Sequence, residues 1–297
     1  MLETMTAPLA RLGRLAGTAG LSVALLCGTG AMTGSLSTPA QAAEEGGHHV
    51  EKQDWTFSGV FGQYDQAQLQ RGFKVYREAC AACHSMRLVA FRTLEDEHGP
   101  HFSEAAVEQI ASEYTVEDIS NEDGQPFERP ATPNDHIPSP YPNAAAAAAA
   151  NGGAAPPDFS LIAKARAVHR GFPGFITDAF AGYSESGPDY IYALLQGYEE
   201  VPEGVEEVPG KYYNPVFLNG KWIAMPPPLT DERVEYTDGS PQTVEQYAAD
   251  VSAFLMWAAE PHLESRKEIG FRVMIFLLVF AVLLYMTKRK LWRNVDH

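Results

Sequence analysis

Cys80-Ala81-Ala82-Cys83-His84 closes a segment in which Leu69, Phe73, Tyr76 and Cys80 recur at i, i+4, i+7 and i+11. That spacing predicts an amphipathic helix running into the motif. Two thiols three residues apart on a helix share one face, so both can form thioether bonds to the vinyl groups of a haem, and His84 can turn its imidazole onto the iron. Cys-x-x-Cys alone also fits a thioredoxin-like redox pair or half of a zinc site. A redox pair would open a helix after a strand, whereas this motif ends a helical pattern. A Cys-rich zinc site needs further thiols, and the sequence holds only one more cysteine, Cys27. Covalent haem attachment, and with it electron transfer, is the favoured reading.

The ends of the chain describe an exported, membrane-anchored protein. Arg11 and Arg14 precede an apolar, small-residue run from Leu15 to Met32, and Ala40-Gln41-Ala42 offers a small-x-small cleavage site. This reads as a secretory leader over residues 1–42, lost together with Cys27. A lipoprotein reading of Cys27 is disfavoured because Leu26 stands where a small residue is needed. At the other end, about 19 residues from Ile269 to Thr287 are apolar except Arg272, close to the ~20 that cross a bilayer as a helix. Lys288, Arg289, Lys290 and Arg293 follow, with Trp292 as an interfacial aromatic. The basic tail predicts a cytoplasmic C-terminus on a 266–297 anchor and leaves residues 43–265 outside, in the periplasm.

That outer body is strongly acidic, with 13 basic against 35 acidic side chains and a formal charge of −22. Such a field excludes nucleic acid and an anionic membrane surface as partners, and it attracts a basic protein in a salt-dependent way. The densest runs are Glu95-Asp96-Glu97 and the stretch from Glu199 to Glu207. Taken singly, each is equally well a solvated loop.

A haem that shuttles electrons needs a second axial ligand, and a methionine raises its potential. Met1, Met5 and Met32 fall in the leader, and Met274 and Met286 in the anchor. Met86 stands too close to His84 to reach the opposite face, and Met256 lies in a helical segment, 244–259, whose stripe Val244, Tyr247, Val251, Phe254, Leu255 reads as core. Met225 remains. Val216-Phe217-Leu218 and Trp222-Ile223 flank Asn219-Gly220, a hairpin signal, and the returning strand runs into Met225 and the stiff Pro226-Pro227-Pro228. His48, His49, His98, His101, His136, His169 and His262 are rival ligands in polar contexts. The remainder is helical and loop-rich. Residues 121–159, dense in proline around the Ala144 to Ala150 run, read as a linker or long surface loop, with the alanines available for one short helix.

The whole pattern resembles the cytochrome c1 family, the haem subunits of ubiquinol–cytochrome c reductase (cytochrome bc1) complexes. The resemblance rests on Arg71-Gly72-Phe73-Lys74-Val75-Tyr76 leading into the Cys80 to Met86 stretch, on Pro140-Tyr141-Pro142-Asn143, and on the stretch Asn151 to Ser160. It continues in Tyr213-Asn214-Pro215, Ile223-Ala224-Met225-Pro226-Pro227 and Trp257-Ala258-Ala259-Glu260-Pro261. It implies a mainly α c-type cytochrome haem domain with long loops and a small β-hairpin, followed by one C-terminal transmembrane helix. It implies one covalently bound haem c with His84 and Met225 as axial ligands, Pro156 and Pro157 on a loop covering the ring, and Arg166 and Tyr190 beside a propionate. Residues 167–187 look like an insertion relative to shorter members, and the extra disulfide of some bacterial relatives has no cysteines here. In the family the subunit takes an electron from the Rieske iron–sulfur protein and passes it to a soluble or tethered c-type cytochrome. It sits beside cytochrome b in a complex expected to be dimeric, as an electron-transfer subunit of an enzyme whose quinol chemistry lies elsewhere. A tethered cytochrome serving a terminal oxidase would share the haem motif and anchor, but not the strings at 151–160 and 257–261.

Overall fold

The computed structural model of the chain describes residues 50–120, 124–167 and 186–294. The expected leader with Cys27, the histidines His48, His49 and His169, and residues 168–185 of the insertion lie outside that range. In chain order the elements are α1 (Gln66–Val75), a π-helical turn (Tyr76–Cys80), β1 (Met86–Ala90), a 3-10 turn (Phe91–Glu95), α2 (Glu104–Ser112), β2 (Thr115–Ile119), β3 (Pro126–Pro130), β4 (His136–Ile137), α3 (Ala144–Ala150), α4 (Ile162–Ala165), α5 (Ser186–Gln196), β5 (Tyr212–Tyr213), β6 (Trp222–Ile223), α6 (Val244–Ala259) and α7 (Leu263–Leu291). The fold is mainly helical, as expected.

The frame is the crossing of α1 and α6. Each starts at a side-chain cap: Asp65 accepts from the Gln68 amide at 3.1 Å, and Thr243 accepts from the Gln246 amide at 3.3 Å. These caps satisfy amides that have no partner inside the helix. The stripe Leu69, Phe73, Tyr76, Cys80 is buried as its periodicity predicts. Helix α6 is buried almost all round, with α1, α4 and α5 packed on it. At the crossing Gly72 lets the backbones approach closely, since a Cβ there would fall 2.1 Å from the Asp250 carbonyl oxygen. Phe73 and Tyr76 close on Phe254 with ring centroids at 5.6 and 6.1 Å.

The same crossing buries a charge. Asp250 is 0% exposed and accepts from Arg71 Nε at 2.9 Å and Nη2 at 3.2 Å, from the Tyr236 hydroxyl at 2.9 Å, and from Gln246 Nε2 at 2.9 Å. Four donors on two oxygens offset the loss of water around the carboxylate.

Among the described residues strands form three separate antiparallel pairs, β1–β4, β2–β3 and β5–β6, where the sequence pointed to one hairpin. The stretch read as a linker contributes β3 and β4. Pro126 and Pro130 sit at the two ends of β3, positions that do not interrupt a ladder. Arg129 locks this region, donating to Asp118 at 2.6 Å and to both oxygens of Asp135 at 2.7 and 3.0 Å. The Ala144 to Ala150 run is a helix, capped by Asn143 through the Ala146 amide at 2.9 Å. In the β5–β6 hairpin Tyr212 pairs with Ile223 and Tyr213 with Trp222, so Val216-Phe217-Leu218 lies in the connection and not in the first strand. Buried Asn214 causes the shift. Its amide donates to the Lys221 carbonyl at 2.8 Å, and its side chain donates to Leu194 O at 2.9 Å and accepts from Val216 N at 3.1 Å. Gly220, at φ +115, still makes the turn.

Among the described residues α7 is the one helix long and apolar enough to cross a membrane. It begins six residues before the apolar run, because its first turn docks on the body: Leu263 is fully buried, whereas the apolar side chains from Ile269 onward are exposed. Substituting Gly72→Val should force α1 and α6 apart and destabilise the body by about 1–3 kcal/mol. The urea midpoint of the solubilised chain would register this; an unchanged midpoint would mean the crossing is not tight.

Candidate functional site

Helix α1 leads straight into the cysteine motif, but it does not carry the motif on one continuous helical face as the spacing predicted. The last turn widens into π-helix over Tyr76–Cys80, with the Ala81 amide bonded to Tyr76 O at 2.8 Å. The chain then turns, and the Cys83 and His84 amides both donate to Cys80 O, at 3.0 and 2.9 Å. One tight turn therefore keeps the two thiols and the imidazole together. Single π turns of this kind recur at functional sites. No disulfide joins the two cysteines, of which Cys80 is buried and Cys83 half-buried. Burial pushes the Cys80 thiol up to about 12, against the pull of Arg233. A thiol held protonated is a poor attacking group, which counts against the thiol-exchange reading. Among the described residues no three His, Cys, Asp or Glu side chains converge as a metal site.

His84 is 8% exposed, and its Nδ1 lies 2.9 Å from the Pro157 carbonyl oxygen. A carbonyl can only accept, so the proton resides on Nδ1 and Nε2 presents a lone pair. Burial lowers the His84 pKa, opposed by the Pro157 hydrogen bond and the Asp158 charge. Phe159 stacks on the imidazole with centroids 3.9 Å apart and planes 18° from parallel, and the Tyr76 hydroxyl donates to His84 O at 3.1 Å.

The segment carrying Pro156 and Pro157 is strapped across this turn. Phe159 N donates to Ser85 O at 2.8 Å, and Leu88 N donates to Ser160 Oγ at 3.0 Å. Asp158 collects Ser85 Oγ at 2.7 Å, Arg87 N at 3.0 Å and Ser160 N at 2.9 Å. Pro157 and Arg166 line one surface cleft of about 500 Å³ with Arg87, Leu88 and Asp158.

Met225 enters after β6. Met86 and Met256 are fully buried in the core, whereas Met225 is only half-buried, so its thioether is not consumed by packing. The Tyr198 hydroxyl donates to Met225 O at 3.1 Å. Tyr190, 2% exposed, accepts from Leu218 N at 3.4 Å. Burial raises the Tyr190 pKa, and the Arg166 charge acts the other way. Burial likewise raises the Tyr198 pKa. Pro157 and Arg166 thus share one cleft, and Tyr198 and Met225 are joined by a hydrogen bond. Of the rival histidines, His98 pairs with Glu264 at 2.9 Å, His101 Nδ1 lies 3.2 Å from Glu95 O, and His136 and His262 are exposed. Sequence reading did not single out Asp158, Phe159, Ser160 or Tyr198. The first three were visible only as neighbours of the proline pair. The cysteine pair and His84, its Nδ1 held by Pro157 O, offer donors of the chemistry that suits a covalently held iron porphyrin, and Met225 offers a half-buried thioether.

Burial alone would raise the Asp158 pKa, but hydrogen bonds from Ser160, Arg87 N and Ser85 outweigh it and hold it at about 2, below the ordinary 3.8. A depressed folded-state pKa stabilises the fold fully above the unfolded value, and the effect fades as pH falls through the folded one. The gap in denaturation midpoint between the native chain and Asp158→Asn should therefore be constant above about pH 4 and close as pH falls toward about 2. A gap independent of pH would mean the strap does not hold the carboxylate ionised.

Known proteins place this geometry in context. A family model described as "Cytochrome C1 family" matches residues 55–295. A protein of Bradyrhizobium diazoefficiens named "Cytochrome b/c1" is 52% identical over 277 residues, which are 93% of this chain and 40% of that protein. "Cytochrome c1" of Blastochloris viridis is 48% identical over 276 residues, 92% of this chain and 95% of that one. "Cytochrome c1 1, heme protein, mitochondrial" of Arabidopsis thaliana is 42% identical over 271 residues, 90% of this chain and 80% of that one. With its family model spanning nearly the whole described body and anchor, the chain belongs to the cytochrome c1 family.

Proposed function

We propose that the chain holds one haem c, joined by thioethers to Cys80 and Cys83, with His84 Nε2 and Met225 Sδ as axial ligands. The observation that carries this reading is the 2.9 Å contact of His84 Nδ1 with Pro157 O, which fixes the tautomer that leaves Nε2 free and makes the imidazole a stronger donor. A relative named as a heme protein supports it. A haem held there supplies one-electron redox chemistry. The chain's own residues set its character. Buried His84 and the Phe159 ring stacked on it keep water from the ligand, the Met225 thioether favours a high potential, and Tyr198 fixes the backbone that presents it. Pro156 and Pro157 cover the ring, and Arg166 and Tyr190 receive a propionate.

In this reading the protein is a subunit of a ubiquinol–cytochrome c reductase. It accepts an electron from a Rieske iron–sulfur protein and passes it to a c-type cytochrome, contributing to respiratory or photosynthetic proton-motive force. It binds no quinol itself. The relative whose name joins b and c1 supports cytochrome b as a neighbour, within a dimeric complex. Helix α7 anchors the body in the bacterial inner membrane by a single pass. The leader has been removed, residues 43–265 lie in the periplasm, and the C-terminus is cytoplasmic. The −22 charge of the body steers a basic cytochrome toward it.

A pyridine haemochrome spectrum of the purified complex should show haem c on this subunit, and its absence would end the proposal. Met225→Leu should lower the haem potential by on the order of 100 mV or more while leaving the haem attached; an unchanged potential would remove Met225 from the ligand set. Electron transfer to a basic cytochrome should slow steeply as salt rises. A flat salt profile would show that the acidic body serves only solubility.

A further inference from the structure

Between the core residues Phe57 and Tyr64 the chain makes a short loop that puts two apolar side chains outside, Val60 at 56% and Phe61 at 76% exposure. The loop is built rather than loose. Ser58 N donates to Trp55 O and Gln63 N to Thr56 O, both at 3.0 Å. Gly59 takes φ +75, and a Cβ on Gly62 would fall 2.0 Å from Ser58 O. Three residues on one face of α7, spaced i, i+3 and i+7, hold it. Glu264 accepts from Tyr64 N at 2.6 Å, Lys267 Nζ donates to Phe57 O at 2.5 Å and Gly62 O at 3.3 Å, and Phe271 meets the Phe61 ring edge-on at 5.4 Å.

The last contact sets the depth. Phe271 lies two residues inside the apolar run that begins at Ile269, about 3 Å along the helix axis, where headgroups give way to acyl chains. We propose that the 58–62 loop is a second membrane contact, with Val60 and Phe61 inserted at the headgroup–acyl boundary of the bilayer that α7 crosses. Continuity with the exposed apolar surface of α7 identifies the occupant as lipid. The chemistry of the loop agrees, because Lys267 satisfies two carbonyls that would otherwise face a medium poor in donors. A Val–Phe pair on so acidic a body gains nothing from water, and side chains of this kind favour the interface. Attachment at two points fixes the tilt of the body on the membrane, where a lone helix would let it swing.

The inference rests on α7 spanning a bilayer and is independent of the haem assignment. The test places p-benzoylphenylalanine at position 61 of the full chain in its own membrane complex, with position 276 of α7 as the lipid-facing reference, and reads photo-adducts by mass spectrometry. Phospholipid adducts at position 61 within about tenfold of the yield at position 276 are expected. An adduct to another polypeptide, or no adduct at all, overturns the proposal. Carbonate extraction of the same membranes separates this failure from a failure of the anchor: a chain that stays integral while position 61 misses lipid refutes the loop alone.

Discussion

The hydrogen bond from His84 Nδ1 to the Pro157 carbonyl is the constraint on which the site depends. It joins segments 73 residues apart and does three things together. It fixes which nitrogen carries the proton, sets the plane of the ring against Phe159, and pulls the proline strap over the cysteine turn. The Asp158 and Ser160 bonds to Ser85, Arg87 and Leu88 keep the strap in register. A buried imidazole is oriented by an outer partner of this kind. Here a backbone carbonyl supplies it, and substitution of a side chain cannot delete a backbone carbonyl.

A turn of five residues can aim a ligand only if the helix before it is immobile. That rigidity comes from α1 lying on α6 at the distance Gly72 permits, with Arg71 and Asp250 paired through the crossing. The arrangement trades a desolvated carboxylate for registry between two helices. With Tyr236 and Gln246 completing its hydrogen bonds, Asp250 defines one docking position where an apolar contact would allow sliding. The π turn then ends the helix at Cys80, and the backbone bonds of Cys83 and His84 to Cys80 O close the motif into one tight turn.

Much of this was legible in local sequence. The thiol pair with its histidine, the apolar anchor, the buried stripes of α1 and α6 and the isolation of Met225 are all patterns within a few residues or one helix period. What escaped depends on partners far along the chain. Asp158 and Ser160 matter because β1 begins beneath them, and Tyr198 because the loop after β6 returns to it. The turn signal at Asn219-Gly220 was used, but the first strand pairs further back at Tyr212 and Tyr213, because Asn214 spends its side chain on Leu194 and Val216. Helix α7 starts early because Leu263 and Glu264 dock on the body, which hydropathy does not record. In the proline-dense stretch, proline marked the ends of β3, and the strand pairing between those ends went unread.

The clamp of Arg129 on Asp118 and Asp135 has a consequence for maturation. It ties β2, β3 and the loop after them by charge and not by sulfur, so this region consolidates without any oxidant. From residue 43 onward the sequence has two cysteines. With those two alone, one intramolecular pairing is open, Cys80 with Cys83, and a single reductant undoes it and returns both sulfurs.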